Sequence, residues 1–360
     1  MSAVRHRCRG AAVAILAAAL LATGCSGSES RYEVVGTAQP RAPHTPDATA
    51  DLPGAETLAR ESGALTDVPM PAFGYVAGDQ TGEYVNVKDA ERRSWQAPAV
   101  ADSDPEVWFF GGSALFGYGT QRDEYTVPSA YARAAHAAGT RLRVRNFSAP
   151  GHTNFVETEE LAGLLSSGRR PKLVVFLDGY NDSLLAAGNR MIGSPQAGQQ
   201  SNSQWDRLIG LAQQSPDWHG PKSGFVLGPP KGSPQPATDE VAGVITRLYA
   251  QGVDLAAHLA DAYGFDVVNA WQPDLYSKRL VGDEQAVRES WGVDDELADH
   301  WRTVMELVRS RLPEAVLDLT TVFDDVPRPI MADMMHFNEE GASLIADRLW
   351  ERTRDQVQAN

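Results

Sequence analysis

From residue 105 onward, short apolar runs alternate with longer segments in which apolar residues recur every three or four positions. Strands are predicted at residues 107–110, 142–147, 173–177, 265–270 and 315–319. The continuous apolar run at 173–177 is typical of a strand that is buried on both faces of a sheet. The helical periodicity covers residues 128–138, 155–165, 239–263, 283–312 and 339–356. This alternation indicates an α/β fold with a five-stranded parallel sheet between two layers of helices.

The first 104 residues have a different pattern. Residues 1–24 contain an arginine-rich N-terminal region followed by the apolar run 11–21. This run is about half the length of a membrane-spanning helix, so the segment predicts an export signal. Residues 25–72 are rich in Ser, Thr, Pro and Ala, and this composition predicts a disordered tether. Residues 73–104 are interpreted as an N-terminal lead-in, with a short edge strand at 84–87.

Within the remaining part, residues 105–360, one segment lacks any periodicity. Residues 185–237 are rich in Gly, Pro, Gln and Ser. We interpret this segment as an insertion over one end of the sheet that contributes to substrate choice, because loops on rigid scaffolds often carry specificity.

Composition excludes several classes of function. The chain has 47 acidic and 32 basic residues and a formal net charge of -15, with no basic cluster, so we expect no nucleic-acid partner. Its two cysteines, Cys8 and Cys25, both lie near the N-terminus and cannot form a disulfide framework in the body of the protein. The eight histidines are scattered, so the sequence predicts neither a metal site nor a cofactor.

The export signal ends in Leu21-Ala22-Thr23-Gly24-Cys25, which resembles a bacterial lipobox. The resemblance implies that Cys25 is acylated and becomes the first mature residue. A lipid on Cys25 would anchor the protein to the outer face of the cytoplasmic membrane rather than thread it through the bilayer. The alternative is plain secretion after cleavage nearby.

Candidate chemistry begins where the first strand ends. The run 107–110 stops at Gly111 and Gly112, and Ser113 follows. Two residues without Cβ atoms permit a sharp turn, and open α/β sheets keep their sites at the carboxyl ends of strands. Ser113 is therefore a candidate nucleophile, although Gly-Gly-Ser alone is also an ordinary turn.

The next two strands are followed by candidate hydrogen-bond donors. Gly151 follows the second strand and could offer an unhindered backbone N–H to an anion. His152 beside it is expected to be a loop residue or a contact at the rim of the site, not a catalyst. Asn181 follows the third strand and has a side-chain N–H, and Asp182 could fix its loop through backbone hydrogen bonds.

After the last strand, Asp333 and His336 are three residues apart. On a helical turn this spacing places both side chains on one face. The carboxylate could then accept one imidazole N–H and leave the other nitrogen free to take a proton, as in serine hydrolases. By itself, Asp-x-x-His is a common pattern.

Taken together, these motifs resemble those of the SGNH (GDSL-type) hydrolase superfamily over about residues 105–355. The block Phe110–Ser113 is similar to the branch that has Gly-Gly-Ser in place of Gly-Asp-Ser. Gln272-Pro273, followed by Lys278 and Glu284, is also similar to that branch. The resemblance implies a flavodoxin-like fold.

The same resemblance implies roles for five residues. Ser113 would be the nucleophile, His336 the general base and Asp333 the residue that orients it. The backbone N–H groups of Ser113 and Gly151 and the side chain of Asn181 would form the oxyanion hole.

We therefore expect a serine esterase that hydrolyses acyl or acetyl esters through an acyl-enzyme and needs no cofactor. An extracytoplasmic location suggests a small-molecule or glycan ester as the substrate. Two alternatives stay open. An acyltransferase to an envelope glycan would use the same residues, and a polysaccharide-binding lipoprotein would use the fold without catalysis. The sequence does not indicate an oligomeric state.

Overall fold

The computed structural model describes residues 47–70, 74–188, 237–291 and 293–358. These residues belong to one compact unit, Tyr32–Asn360, and the other unit, Met1–Arg31, lies outside the described residues. The export signal, Cys25, the first part of the predicted tether and almost all of the expected insertion at 185–237 also lie outside them.

The N-terminal part begins with two helices and two short antiparallel pairs of strands. These elements are α1 (Asp47–Ala50), α2 (Ala55–Gly63), β1 (Asp67–Met70), β2 (Gly74–Ala77), β3 (Val87–Lys88) and β4 (Glu91–Arg92). Leu58 of α2 and Tyr75 of β2 are buried in one apolar cluster with Phe116 and Ala149.

The prediction that the disordered tether extends to residue 72 is therefore wrong for residues 47–70. The segment is mostly polar but contains a few apolar side chains, and one of them, Leu58, is buried completely. These side chains are buried against residues far along the chain, so no local periodicity reveals the fold of this segment.

The remaining elements alternate strand and helix. The strands are β5 (Glu106–Gly111), β6 (Arg143–Asn146), β7 (Leu173–Asp178), β8 (Asp266–Trp271) and β9 (Leu317–Asp318). The helices are α3 (Ser113–Phe116), α4 (Val127–Ala137), α5 (Asn154–Ser166), α6 (Tyr180–Gly188), α7 (Thr238–Tyr263), α8 (Glu284–Ser290), α9 (Asp295–Arg309) and α10 (Glu339–Gln358), with a 3₁₀ turn at Asp123–Tyr125. None of the described helices is long and apolar enough to cross a membrane.

The central sheet has the order β3-β4-β6-β5-β7-β8-β9. Strands β5 to β9 are parallel, which confirms the predicted five-stranded parallel sheet, and their order 2-1-3-4-5 is flavodoxin-like. The sheet is extended by β3 and β4, which are antiparallel, and β4 pairs with β6 at a single position. The edge strand expected at 84–87 overlaps β3 only at Val87.

Alternate residues of β5 enter two different cores. Val107 and Phe109 pack in a core that includes side chains of α4 and α10, whereas Trp108 and Phe110 pack in a second core with α5. All four side chains are fully buried, and each such burial stabilises the fold by about 1.5–3 kcal/mol. The α/β fold with helices on both faces of the sheet follows from this alternation.

The helix expected over residues 283–312 is two helices. The side chain of Asp294 accepts a hydrogen bond from the Leu297 N–H at 2.9 Å and caps the start of α9. An N-cap residue has non-helical backbone, so the helical pattern is interrupted between α8 and α9.

Candidate active site

Ser113 lies at the point where the strand order reverses. β5 and β7 are neighbours in the sheet, and open α/β sheets bind ligands beyond the carboxyl ends of the strands at such a point. Gly112 follows β5 and is the N-cap of α3, and Ser113 is the first residue of that helix. The N–H of a first helical residue has no acceptor within the helix and can bind a ligand oxygen.

Ser113, His336 and Asp333 form a hydrogen-bonded chain. His336 Nε2 lies 2.7 Å from Ser113 Oγ, and His336 Nδ1 lies 2.6 Å from Asp333 Oδ2. A carboxylate accepts only, so Nδ1 carries the proton and Nε2 is left to accept the serine proton. Ser113 and His336 are both mostly buried, so water competes little for these bonds.

The spacing of Asp333 and His336 was expected to act through a helical turn, and this expectation is wrong. The two residues lie in a loop closed by a bridge between Met331 and Phe337 and by a bond of 2.8 Å from the Ala332 N–H to the His336 carbonyl. Asp333 Oδ1 accepts the N–H groups of Met335 and His336 at 2.9 and 2.8 Å. The carboxylate therefore shapes the loop that presents its own partner.

Asp333 stays ionised although it is largely enclosed. Burial by itself raises the pKa of this carboxyl, but the electrostatic interaction with His336 and the hydrogen bonds from His336 and Met335 outweigh it, so the pKa lies below its ordinary value. A carboxylate that is negative at neutral pH can hold the imidazole and stabilise its protonated form.

The loop after β6 and the first turn of α6 meet beside Gly112. A Cβ atom at Gly112 would lie 2.3 Å from Asn181 Nδ2 and 3.2 Å from the His152 carbonyl oxygen. Asn181 Nδ2 donates to that carbonyl at 2.7 Å, which fixes the amide and leaves its second N–H available. Gly151, with φ of 84°, is in the left-handed region that favours glycine. The structure thus places the Asn181 amide and the loop that contains Gly151 next to Ser113.

Asp182 holds these two segments together, as the sequence predicted for its own loop. One carboxyl oxygen accepts the Gly179 N–H and the other accepts the Asn154 N–H, both at 3.2 Å. Asn154 Nδ2 also donates to Asp178 at 3.1 Å. The loops after β6 and β7 are therefore joined below the proposed oxyanion donors.

The carboxyl groups beneath these loops are strongly desolvated. Burial raises the pKa of Asp182 to about 6. Burial and then the neighbouring charge of Asp182 raise the pKa of Asp178 well above its ordinary value, and burial together with Asp178 does the same for Glu157. Burial and mutual repulsion therefore favour the neutral form of these carboxyl groups. Within the described residues, no group of three or more His, Cys, Asp or Glu side chains could hold a metal ion.

Sequence reasoning gave no role to the segment that holds the histidine loop. Glu284 accepts the N–H groups of Ile330 and Met331, both at 3.1 Å, and its other oxygen accepts from Lys278. The side chains of Glu284 and Lys278 are fully buried. Both residues were noted for their resemblance to the Gly-Gly-Ser branch, but no local pattern indicates what they contact.

His152 is a buried loop residue, which agrees with the first of the two roles expected from the sequence and not with a contact at the rim of the site. It is 1% exposed, and its Nε2 lies 2.9 Å from the carbonyl oxygen of Tyr75. A carbonyl oxygen only accepts, so this nitrogen donates. Its role in the described structure is to hold a loop.

The sequence matches no protein-family model and no curated protein. Several solved structures resemble the fold at low identity. The psychrotrophic esterase EstA from Pseudoalteromonas sp. is 12% identical over 71% of this chain and 100% of its own, with a TM-score of 0.36. TesA is 15% identical over 70% and 99%, with a TM-score of 0.38. The lipase/acylhydrolase from Enterococcus faecalis is 16% identical over 70% and 96%, with a TM-score of 0.35. These values are too low to assign a function.

Proposed function

We propose that this chain is a serine esterase of the SGNH type that hydrolyses carboxylic esters through an acyl-enzyme. The observation that supports the proposal most strongly is the chain of hydrogen bonds from Asp333 through His336 to Ser113 at the sheet's switch point. A nucleophile, a base and a residue that orients the base are the parts that this reaction needs.

In the first step Ser113 Oγ attacks the ester carbonyl carbon, and its proton passes to His336 Nε2. The tetrahedral intermediate then expels the alcohol, which leaves with the proton from His336. Water repeats the sequence on the acyl-serine, releases the acid and restores Ser113. Asp333 stays negative throughout and stabilises the transient imidazolium.

The oxyanion of each intermediate would be held by the N–H groups of Ser113 and Gly151 and by the Asn181 side chain. Removal of one such donor typically costs about 3–4 kcal/mol of transition-state stabilisation. The nearness of the Asn181 amide and of the loop containing Gly151 to Gly112 supports these assignments.

The direct test is hydrolysis of p-nitrophenyl esters, from acetyl to octanoyl, by the wild-type chain and by Ser113→Ala. We expect Ser113→Ala to lose all but background turnover while its unfolding midpoint is retained. The chain-length profile separates deacetylation from lipase-like use. Full activity in Ser113→Ala would contradict the assignment of Ser113 as the nucleophile.

Location and substrate rest on sequence alone. We propose that Cys25 bears a lipid, that the protein lies on the outer face of the cytoplasmic membrane, and that it acts on an acylated envelope glycan or another extracytoplasmic ester. If a sugar acceptor suppresses the release of free acid, the same residues serve an acyltransferase instead.

A further inference from the structure

Tyr75 of β2 contacts residues Pro150–His152, which we call the oxyanion loop. Tyr75 lies in the N-terminal segment, before all of the motifs that carry the proposed active site. Its hydroxyl donates to the Pro150 carbonyl at 2.6 Å, and its backbone carbonyl accepts from His152 Nε2 at 2.9 Å. The rings of Tyr75 and His152 also meet edge to face, with centroids 4.9 Å apart. Tyr75 therefore holds the residues on both sides of Gly151.

This loop serves the proposed oxyanion hole in two ways. It contains Gly151, whose N–H is a proposed donor, and its His152 carbonyl anchors the Asn181 amide. A small rotation of the loop would therefore move two donors together. Transition-state stabilisation depends on donors that are already in place before the charge develops.

The strand that carries Tyr75 is itself fixed. Tyr75 is 2% exposed and shares an apolar cluster with Leu58, Phe116 and Ala149. Phe116 is the last residue of α3, which begins at Ser113, and Ala149 directly precedes the oxyanion loop. The N-terminal segment thus packs against both the nucleophile helix and the oxyanion loop.

We infer that Tyr75 is a positioning residue for the oxyanion hole, acting through Pro150 and His152 and not by touching the substrate. The inference rests on the proposed esterase function. It assigns a role in catalysis to a segment that precedes every motif of the proposed active site.

The test compares the full chain with Tyr75→Phe, which keeps the ring and removes the hydroxyl that donates to the Pro150 carbonyl. The substrates are p-nitrophenyl acetate and its thionoester, whose sulfur is a weaker hydrogen-bond acceptor than oxygen. Tyr125→Phe is the control, because Tyr125 is 40% exposed and contacts arginines at the surface. The unfolding midpoint of each variant is measured alongside.

We expect kcat for the oxygen ester to fall about tenfold in Tyr75→Phe, less than complete loss of a donor costs. KM and the unfolding midpoint should change little, and the thionoester rate should fall by a smaller factor. Unchanged kcat, or an equal loss for both substrates with a lowered midpoint, would overturn the role of Tyr75. If the wild-type chain shows no turnover that depends on Ser113, the proposed function fails and this inference fails with it.

Discussion

At position 112 the chain has no room for a side chain. A Cβ atom there would collide with Asn181 Nδ2, so Gly112→Ala must displace the amide that we propose as an oxyanion donor. We expect kcat for ester hydrolysis to fall by about 100-fold, near the cost of losing one donor. Steady-state kinetics with p-nitrophenyl acetate measure this effect.

Gly163→Ala is the matched control for Gly112→Ala. Gly163 lies in α5, and a Cβ atom there would have open space around it. Alanine should leave kcat unchanged and stabilise the helix by up to about 1 kcal/mol. Equal activity in the two variants would contradict the proposed role of Asn181.

Glu160 makes the free energy of unfolding depend on pH. Burial raises the pKa of Glu160 to about 8, whereas a glutamate in the unfolded chain has a pKa of about 4.3. Between these values the folded protein holds a proton that the unfolded chain lacks. The contribution of Glu160 to the free energy of unfolding is therefore complete below about pH 4 and falls as pH rises to about 8. The slope is on the order of 1 kcal/mol per pH unit.

Glu160→Gln removes this proton uptake. Urea unfolding at pH 5 and pH 8 should show the variant gaining stability relative to wild type as pH rises. Glu56→Gln, at an exposed position in α2, serves as the control and should follow wild type. A constant difference between Glu160→Gln and wild type across this window would show that Glu160 titrates alike in both states.

At the scale of elements, the segment from Gln272 to Glu284 holds the loop that carries Asp333 and His336. Besides the bonds of Glu284, the Leu275 N–H donates to the Met334 carbonyl at 3.0 Å. Lys278→Met would leave the Glu284 charge buried without its cation, which typically costs about 3–5 kcal/mol of unfolding free energy. Denaturant unfolding and kcat should both show the loss.

The double variant Lys278→Met with Glu284→Gln should recover part of that stability. The neutral amide oxygen can still accept the N–H groups of Ile330 and Met331, and no charge is left unpaired, but the amide nitrogen cannot accept the Val281 N–H as the carboxylate does. Arg302→Met, which breaks a surface pair with Asp299 on α9, is the control and should cost less than about 1 kcal/mol. If the double variant is no more stable than Lys278→Met, the unpaired charge of Glu284 is not the cause of the stability loss.

The placement of Ser113, Gly151 and Asn181 at one edge of the sheet could be predicted from sequence. Each of them follows a predicted strand, and parallel strands bring their carboxyl ends to one edge. Tyr75 could not be predicted in this way, since its partners lie 75 or more residues further along the chain. The helical turn expected for Asp333 failed because that carboxylate bonds its own backbone and makes a loop.

At the scale of the molecule, the proposed anchor at Cys25 can be tested separately from the catalytic site. In a bacterial host, the wild-type chain should sediment with membranes and incorporate labelled fatty acid. Cys25→Ala should do neither, because a cysteine thiol is the acceptor of the lipid. A lipid-free wild-type chain in the medium would support plain secretion instead.

The central claim is that Ser113, activated by His336, forms the acyl-enzyme. The most direct measurement is mass spectrometry of the chain after treatment with a fluorophosphonate, which reacts with activated serines. We predict one adduct, located on Ser113, that blocks ester turnover in proportion to labelling and that forms far more slowly in His336→Gln. A turnover-blocking adduct on another residue, or full ester turnover with Ser113 modified, would contradict the account.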